Sequence, residues 1–218
     1  MTLMQLLVSL WVLVVVGLTP APVAAQPAPD ELALRLAPSV VPIQLDTGAE
    51  ILDRVCSGVV LSPITVLTAA HCLRTVTDWH LLWVANIPVR QVGEVQKDLV
   101  VLWLEDPLSG GLPLPVRQDT LRLGESVLAL GFAFGDPTLT VLTGTVAHPA
   151  PYREDAEHPL FKAAAWFDLH LMPGMSGGPI VDAHGRLVSI NLGIASLPAG
   201  LAWGVTLPNL RAVIRHPR

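Results

Sequence analysis

The chain has 218 residues, of which 51% are hydrophobic and 14% charged. That is enough apolar matter for a sizeable core, and it excludes a disordered chain. The formal net charge of −5, from 13 Lys and Arg against 18 Asp and Glu, argues against a broad nucleic-acid or polybasic membrane surface.

Met1 to Ala25 holds no Lys, Arg, Asp, Glu or His. Leu6 to Leu18 is almost wholly apolar, and Val23-Ala24-Ala25 follows. A short apolar stretch ending in small residues predicts a secretory signal peptide over 1–25, cleaved after Ala25. The alternative is an uncleaved membrane anchor. The apolar run is shorter than the roughly 20 residues that span a bilayer, although no basic side chain precedes it. A Pro-rich N-terminal segment, 26–37, comes next. Its first residues, Gln26 to Asp30, are expected to be a flexible new N-terminus. The globular part is predicted to be exported, periplasmic or secreted, into an oxidising compartment.

From Val40 onward, short apolar runs alternate with Gly, Pro, Asp and Asn. The runs are Val40–Leu45, Gly58–Leu61, Thr65–Ala69, Trp79–Val84, Leu99–Leu104, Ser126–Leu130, Val141–Val146, Pro179–Val181, Leu187–Ile190 and Leu201–Val205. This spacing, with 20 Pro and 17 Gly in the chain, predicts an all-β barrel or sandwich. One helix is expected at Leu207–Ile214, with Pro208 in its first turn. The most polar stretch, Tyr152 to His158, is expected to be an exposed loop.

Three segments carry chemistry. The first is Leu67-Thr68-Ala69-Ala70-His71-Cys72, preceded by Cys56-Ser57-Gly58-Val59-Val60. The second is Lys97-Asp98-Leu99-Val100-Val101-Leu102. The third is Pro173-Gly174-Met175-Ser176-Gly177-Gly178-Pro179. Together they place His, Asp and Ser in a chain order known among serine hydrolases. Singly, His71 could be a surface histidine, Ser176 a turn serine and Gly174 a turn glycine. Asp78, Glu105 and Asp106 are rivals to Asp98.

The T-A-A-H-C and G-x-S-G-G-P runs resemble the chymotrypsin/trypsin superfamily of serine proteases. Gly131-Phe132-Ala133-Phe134-Gly135 and the Gly200–Pro208 stretch are similar to bacterial HtrA-like trypsin domains. The resemblance covers about Pro38 to Ile214, with no PDZ domain expected in the four residues after it. It implies two six-stranded antiparallel β-barrels, about 40–106 and 121–206, joined by a Leu112–Arg117 linker and closed by the short C-terminal helix. The peptidase domain would span 38–218.

The implied function is an exported serine endopeptidase that takes a protein or peptide substrate. It would need no cofactor and no metal, and would meet a membrane only if the N-terminal segment is retained. His71 would act as base, Asp98 would orient it, and Ser176 would attack through an acyl-enzyme. The N–H groups of Gly174 and Ser176 would form the oxyanion hole. A disulfide between Cys56 and Cys72, 16 positions apart, is implied as well. In the chain-entropy model it would stabilise by roughly 3 kcal/mol. Free thiols and a Cys–His metal site are the alternatives.

Two departures from the family matter. Trypsin-type zymogens carry Asp where Met175 stands, so their activating ion pair is not available here. The oxyanion loop is then either permanently competent or ordered by a partner or substrate. The implied substrate pocket, His170, Leu171, Asn191 and Leu192, has no Asp at its base. Small or medium apolar P1 residues are expected, with an acidic preference if His170 faces the pocket. The other histidines, His80, His148, His158, His184 and His216, are read as surface or structural. Ser176 also sits in a G-x-S-x-G frame, but Gly177-Gly178-Pro179 cannot open the helix that an α/β-hydrolase nucleophile needs. The alternative function on the same fold is a catalytically silent peptide-binding or regulatory protein.

Overall fold

The computed structural model describes residues 28–50, 52–149, 164–195 and 200–216. The expected signal peptide and the Tyr152–His158 loop lie outside them.

Twelve strands form two closed antiparallel barrels. The first contains β1 (Val40–Leu45), β2 (Asp53–Ser62), β3 (Thr65–Ala69), β4 (Leu82–Val84), β5 (Ile87–Val92) and β6 (Leu99–Leu104). The second contains β7 (Ser126–Gly131), β8 (Thr140–His148), β9 (Ala164–Asp168), β10 (Pro179–Asp182), β11 (Leu187–Ile194) and β12 (Leu201–Val205). Barrel one closes in the order β1-β2-β3-β6-β5-β4, and barrel two in the equivalent order β7-β8-β9-β12-β11-β10. The fold is therefore the chymotrypsin-like double barrel, with α2 (Leu207–Arg215) as its C-terminal helix.

The apolar runs reflect strands buried on both faces. Successive side chains of a strand point to opposite sides. Val60, Val66, Val100 and Leu102 point into barrel one. Their neighbours Val59, Leu67, Leu99 and Val101 join the core of barrel two, with Met175, Ile180 and Leu187. Strands β2, β3 and β6 thus form the wall on which the two barrels dock.

Four elements depart from the sequence reading. Residues Pro29–Leu36 form a helix, α1, which takes in Pro29 and Asp30 of the Gln26–Asp30 stretch expected to be flexible. Its Leu32 and Leu36 are buried with Leu128, Leu130 and Val181 of barrel two. Trp79–Leu81 is a 3-10 turn, so only Leu82–Val84 is strand. Strands β5 and β9 were not anticipated. The β4–β5 hairpin turns through Ala85 and Asn86, both at positive φ, as a two-residue type I′ turn requires.

Candidate active site

The register of β3 and β6 brings His71 to Asp98. Ala69 pairs with Leu99, and the next residue outward, Ala70, donates its N–H to the Asp98 carbonyl at 2.7 Å. Asp98 occupies a tight turn in which Gln96 and Leu99 exchange backbone hydrogen bonds. Lys97 and Asp98 have φ of 55° and 61°; Asp tolerates this left-handed region better than most residues. The turn leaves Asp98 buried, with its carboxylate aimed at the histidine. Its Oδ2 lies 2.7 Å from His71 Nδ1, and its Oδ1 accepts the His71 backbone N–H at 3.0 Å. A carboxylate can only accept, so this contact suits the tautomer with the proton on Nδ1. The lone pair then sits on Nε2, as a base at that atom requires.

Ser176 lies on the loop between β9 and β10, against the end of β3. Its carbonyl accepts the Ser57 N–H at 2.8 Å and is 3.9 Å from the sulfur of Cys72, the residue after His71. A Cβ on Gly177 would fall 2.3 Å from Thr68 Oγ1 and 2.8 Å from Ala69 N, so this close approach requires glycine. Cys72 is disulfide-bonded to Cys56. No hydrogen bond joins the Ser176 hydroxyl to the His71 ring among the described residues.

The loop's backbone groups account for themselves in an uneven way. The carbonyl of Pro173 accepts the Phe134 N–H at 2.7 Å, and that of Met175 accepts the Gly178 N–H at 3.1 Å. The Gly174 carbonyl accepts the Ser57 hydroxyl at 2.8 Å. The Met175 N–H goes to Met172 and the Gly177 N–H to Asn191. Among the described residues, the N–H groups of Gly174 and Ser176 find no acceptor. Gly174 has φ +90°, and a Cβ there would lie 2.3 Å from the Phe132 carbonyl oxygen. Met175 is wholly buried in the core of barrel two.

The expected pocket residues divide. Leu171 and Leu192 are buried. Asn191 is fully buried, and its amide nitrogen donates to the Met175 carbonyl at 3.3 Å, behind the serine loop. His170 is exposed, with its Nε2 3.7 Å from where a Gly200 Cβ would stand. Ser57 was passed over in the sequence. Nothing local marks it, because its partners lie 75 and 117 positions away. Among the described residues, no group of three or more His, Cys, Asp or Glu side chains is placed to hold a metal ion.

A double barrel with a carboxylate-bound histidine at the end of β3, where a glycine-rich serine loop packs, defines the class of trypsin-like serine proteases. The chain belongs to the family described as the trypsin-like peptidase domain, which its residues 56–190 match. It is similar to Protease Do-like 1, chloroplastic, of Arabidopsis thaliana, with 32% identity over 147 residues, 64% of this chain and 33% of that protein. It is also similar to Serine protease PepD of Mycobacterium tuberculosis, with 28% identity over 85% of this chain and 46% of that protein. The chain therefore spans less than half the length of these two relatives. Among solved structures, the HtrA-type protease AlgW with a decapeptide has the same fold, with TM-score 0.69 and 22% identity over 86% of this chain and 66% of that one.

Proposed function

We propose that the chain is an exported serine endopeptidase that uses His71, Asp98 and Ser176. The observation that carries this reading is the two-point grip of Asp98 on His71, beside a loop whose Gly174 and Ser176 N–H groups find no acceptor among the described residues. His71 Nε2 takes the Ser176 hydroxyl proton as the oxygen attacks the peptide carbonyl. The oxyanion of the tetrahedral intermediate is held by the Gly174 and Ser176 N–H groups. As the intermediate collapses, the protonated imidazole gives its proton to the leaving amine, and an ester remains on Ser176. Water, activated by the same imidazole, then releases the acid.

The substrate class is a peptide or protein. The apolar Leu171 and Leu192 favour an apolar P1 side chain, with an acidic preference if the exposed His170 faces the pocket. Export rests on the 1–25 sequence, and the Cys56–Cys72 disulfide agrees with an oxidising compartment. Fluorophosphonate labelling tests the reading, comparing the folded, disulfide-bonded protein with Ser176→Ala. Labelling of the wild type alone is expected, and cleavage of a peptide library should then follow apolar residues. A well-folded wild type that takes no label would instead be a silent scaffold. Cleavage after Lys or Arg would overturn the pocket assignment.

A further inference from the structure

Ser57 is a fully buried polar residue of barrel one, and each of its polar groups is committed. Its hydroxyl donates to the Gly174 carbonyl at 2.8 Å and accepts the Phe132 N–H at 2.8 Å. Its N–H donates to the Ser176 carbonyl at 2.8 Å, and its own carbonyl accepts the Thr68 hydroxyl at 2.7 Å. A Cβ on Gly131 would fall 2.9 Å from the Ser57 hydroxyl, so the glycine leaves room for it.

We propose that Ser57 is a positioning residue for the serine loop, its hydroxyl setting the peptide planes on both sides of Gly174 so that the Gly174 N–H faces the cleft. The proposal rests on the serine-peptidase reading above. A peptide unit is planar and trans, so fixing its C=O fixes the direction of its N–H. Ser57 holds the Gly174 carbonyl directly and so sets the Gly174–Met175 plane. It also holds the Phe132 N–H, at the head of the Phe132–Gly135 turn. Two residues further on, Phe134 donates its N–H to the Pro173 carbonyl. That bond sets the Pro173–Gly174 plane and directs the Gly174 N–H away from the turn.

The same residue is tied to the base. Ser57 follows Cys56, which is bonded to Cys72, which follows His71. Base and oxyanion donors are therefore referenced to one short covalent path in barrel one, although Gly174 itself belongs to barrel two.

The test compares wild type, Ser57→Ala and Ser57→Thr in the full chain, once Ser176 labelling of the wild type has been established. In Ser57→Ala, kcat on a peptide amide is expected to fall about 10- to 100-fold, less than or comparable to losing one oxyanion donor outright. KM should change less than about threefold, because substrate side-chain contacts are untouched. The inhibition constant of a peptidyl trifluoromethyl ketone, whose adduct carries the oxyanion, should rise in step with the loss of kcat. Ser57→Thr keeps the hydroxyl and should recover most of the rate.

A Ser57→Ala protein with kcat within twofold of wild type overturns the proposal, and so does a Thr variant as slow as the Ala variant. A Ser57→Ala chain that fails to form the Cys56–Cys72 disulfide overturns it as well, since the hydroxyl would then determine the fold and not the loop. Should the wild type take no label, the serine-peptidase reading fails separately. Hydrogen exchange at the Phe132 amide then decides: at least about tenfold faster exchange in Ser57→Ala supports the clamp, and unchanged exchange removes it.

Discussion

Asp98 holds His71 by two separate oxygens, Oδ2 on the ring Nδ1 at 2.7 Å and Oδ1 on the backbone N–H at 3.0 Å. Both are acceptor contacts, and an amide offers only one acceptor. Asp98→Asn must therefore either lose the backbone contact or present its NH2 to the ring. In the second case the ring proton moves to Nε2 and the base is lost. We expect kcat to fall about 10³- to 10⁴-fold, the scale seen when the orienting carboxylate of such a triad is neutralised. Circular dichroism should be unchanged. The measurement is steady-state kinetics on a peptide amide, and a loss smaller than tenfold would assign the orienting role elsewhere.

The parts of this arrangement differ in how well the chain announces them. Strands β2, β3 and β6 stand out because both of their faces are buried, which yields unbroken apolar runs such as Leu99–Leu104. Strand β5 does not stand out, because Pro88, Arg90 and Gln91 interrupt it and its Arg90 side chain faces solvent. Strand β9 reads only as Ala-Ala-Trp-Phe-Asp, without a β-branched residue to mark it. Helix α1 hides behind its prolines, since its stability comes from Leu32 and Leu36 on a distant barrel. The His71 and Ser176 segments were visible as local motifs. Ser57 was not, since the contacts that distinguish it depend on how barrel one docks on barrel two. Asn191 was visible in part. The sequence suggests a pocket lining, and the structure adds that its amide nitrogen donates to the Met175 carbonyl, a contact between residues 16 positions apart that no local motif announces.

Away from the cleft, Arg117 is 95% buried at the end of the inter-barrel linker. It donates to Glu125 at 2.6 Å, to Asp119 at 2.9 Å and to the Thr120 carbonyl at 2.8 Å, with Asp182 at 3.6 Å. Arg186 completes the group with bonds to Asp182 and Asp119. Without Arg117, Arg186 still holds Asp182 and Asp119, while Glu125 and the Thr120 carbonyl lose their arginine donor, so Arg117→Ala is expected to lower stability by about 1–3 kcal/mol. Chemical denaturation checks this, and a change below 1 kcal/mol would make the network dispensable. The Asp119 carboxyl is held below its usual value, first by its own backbone N–H and then by Arg117. A depressed folded-state value means that the contribution is present above the ordinary aspartate value of 3.8 and is lost as pH falls through the lower folded value. The Arg117 part of that acid-labile stability should disappear in Arg117→Ala, making the variant's denaturation midpoint flatter with pH below about 4.

The residue before Ser176 tests how the serine loop is held. Met175 is fully buried among core residues of barrel two, and its carbonyl is bonded by both Gly178 and the Asn191 amide. The anchor is apolar, so it does not depend on an ammonium group reaching the loop. A volume-conserving apolar exchange is tolerated best in such a site, usually at less than about 1.5 kcal/mol. Met175→Leu should therefore keep kcat within a few-fold of wild type. Met175→Asp places a carboxylate in the same apolar site, where the described core neighbours offer no cation, at a cost of about 3 kcal/mol or more. The loop is the element nearest to that charge and should rearrange first, with the Ser176 labelling rate falling at least about a hundredfold while the barrels still melt cooperatively. A second measurement separates apolar anchoring from an ion pair: labelling rates of wild type with a free and with an extended amino terminus should agree. A Met175→Asp protein that labels at the wild-type rate, or a rate that depends on a free amine, would show that charge holds the loop.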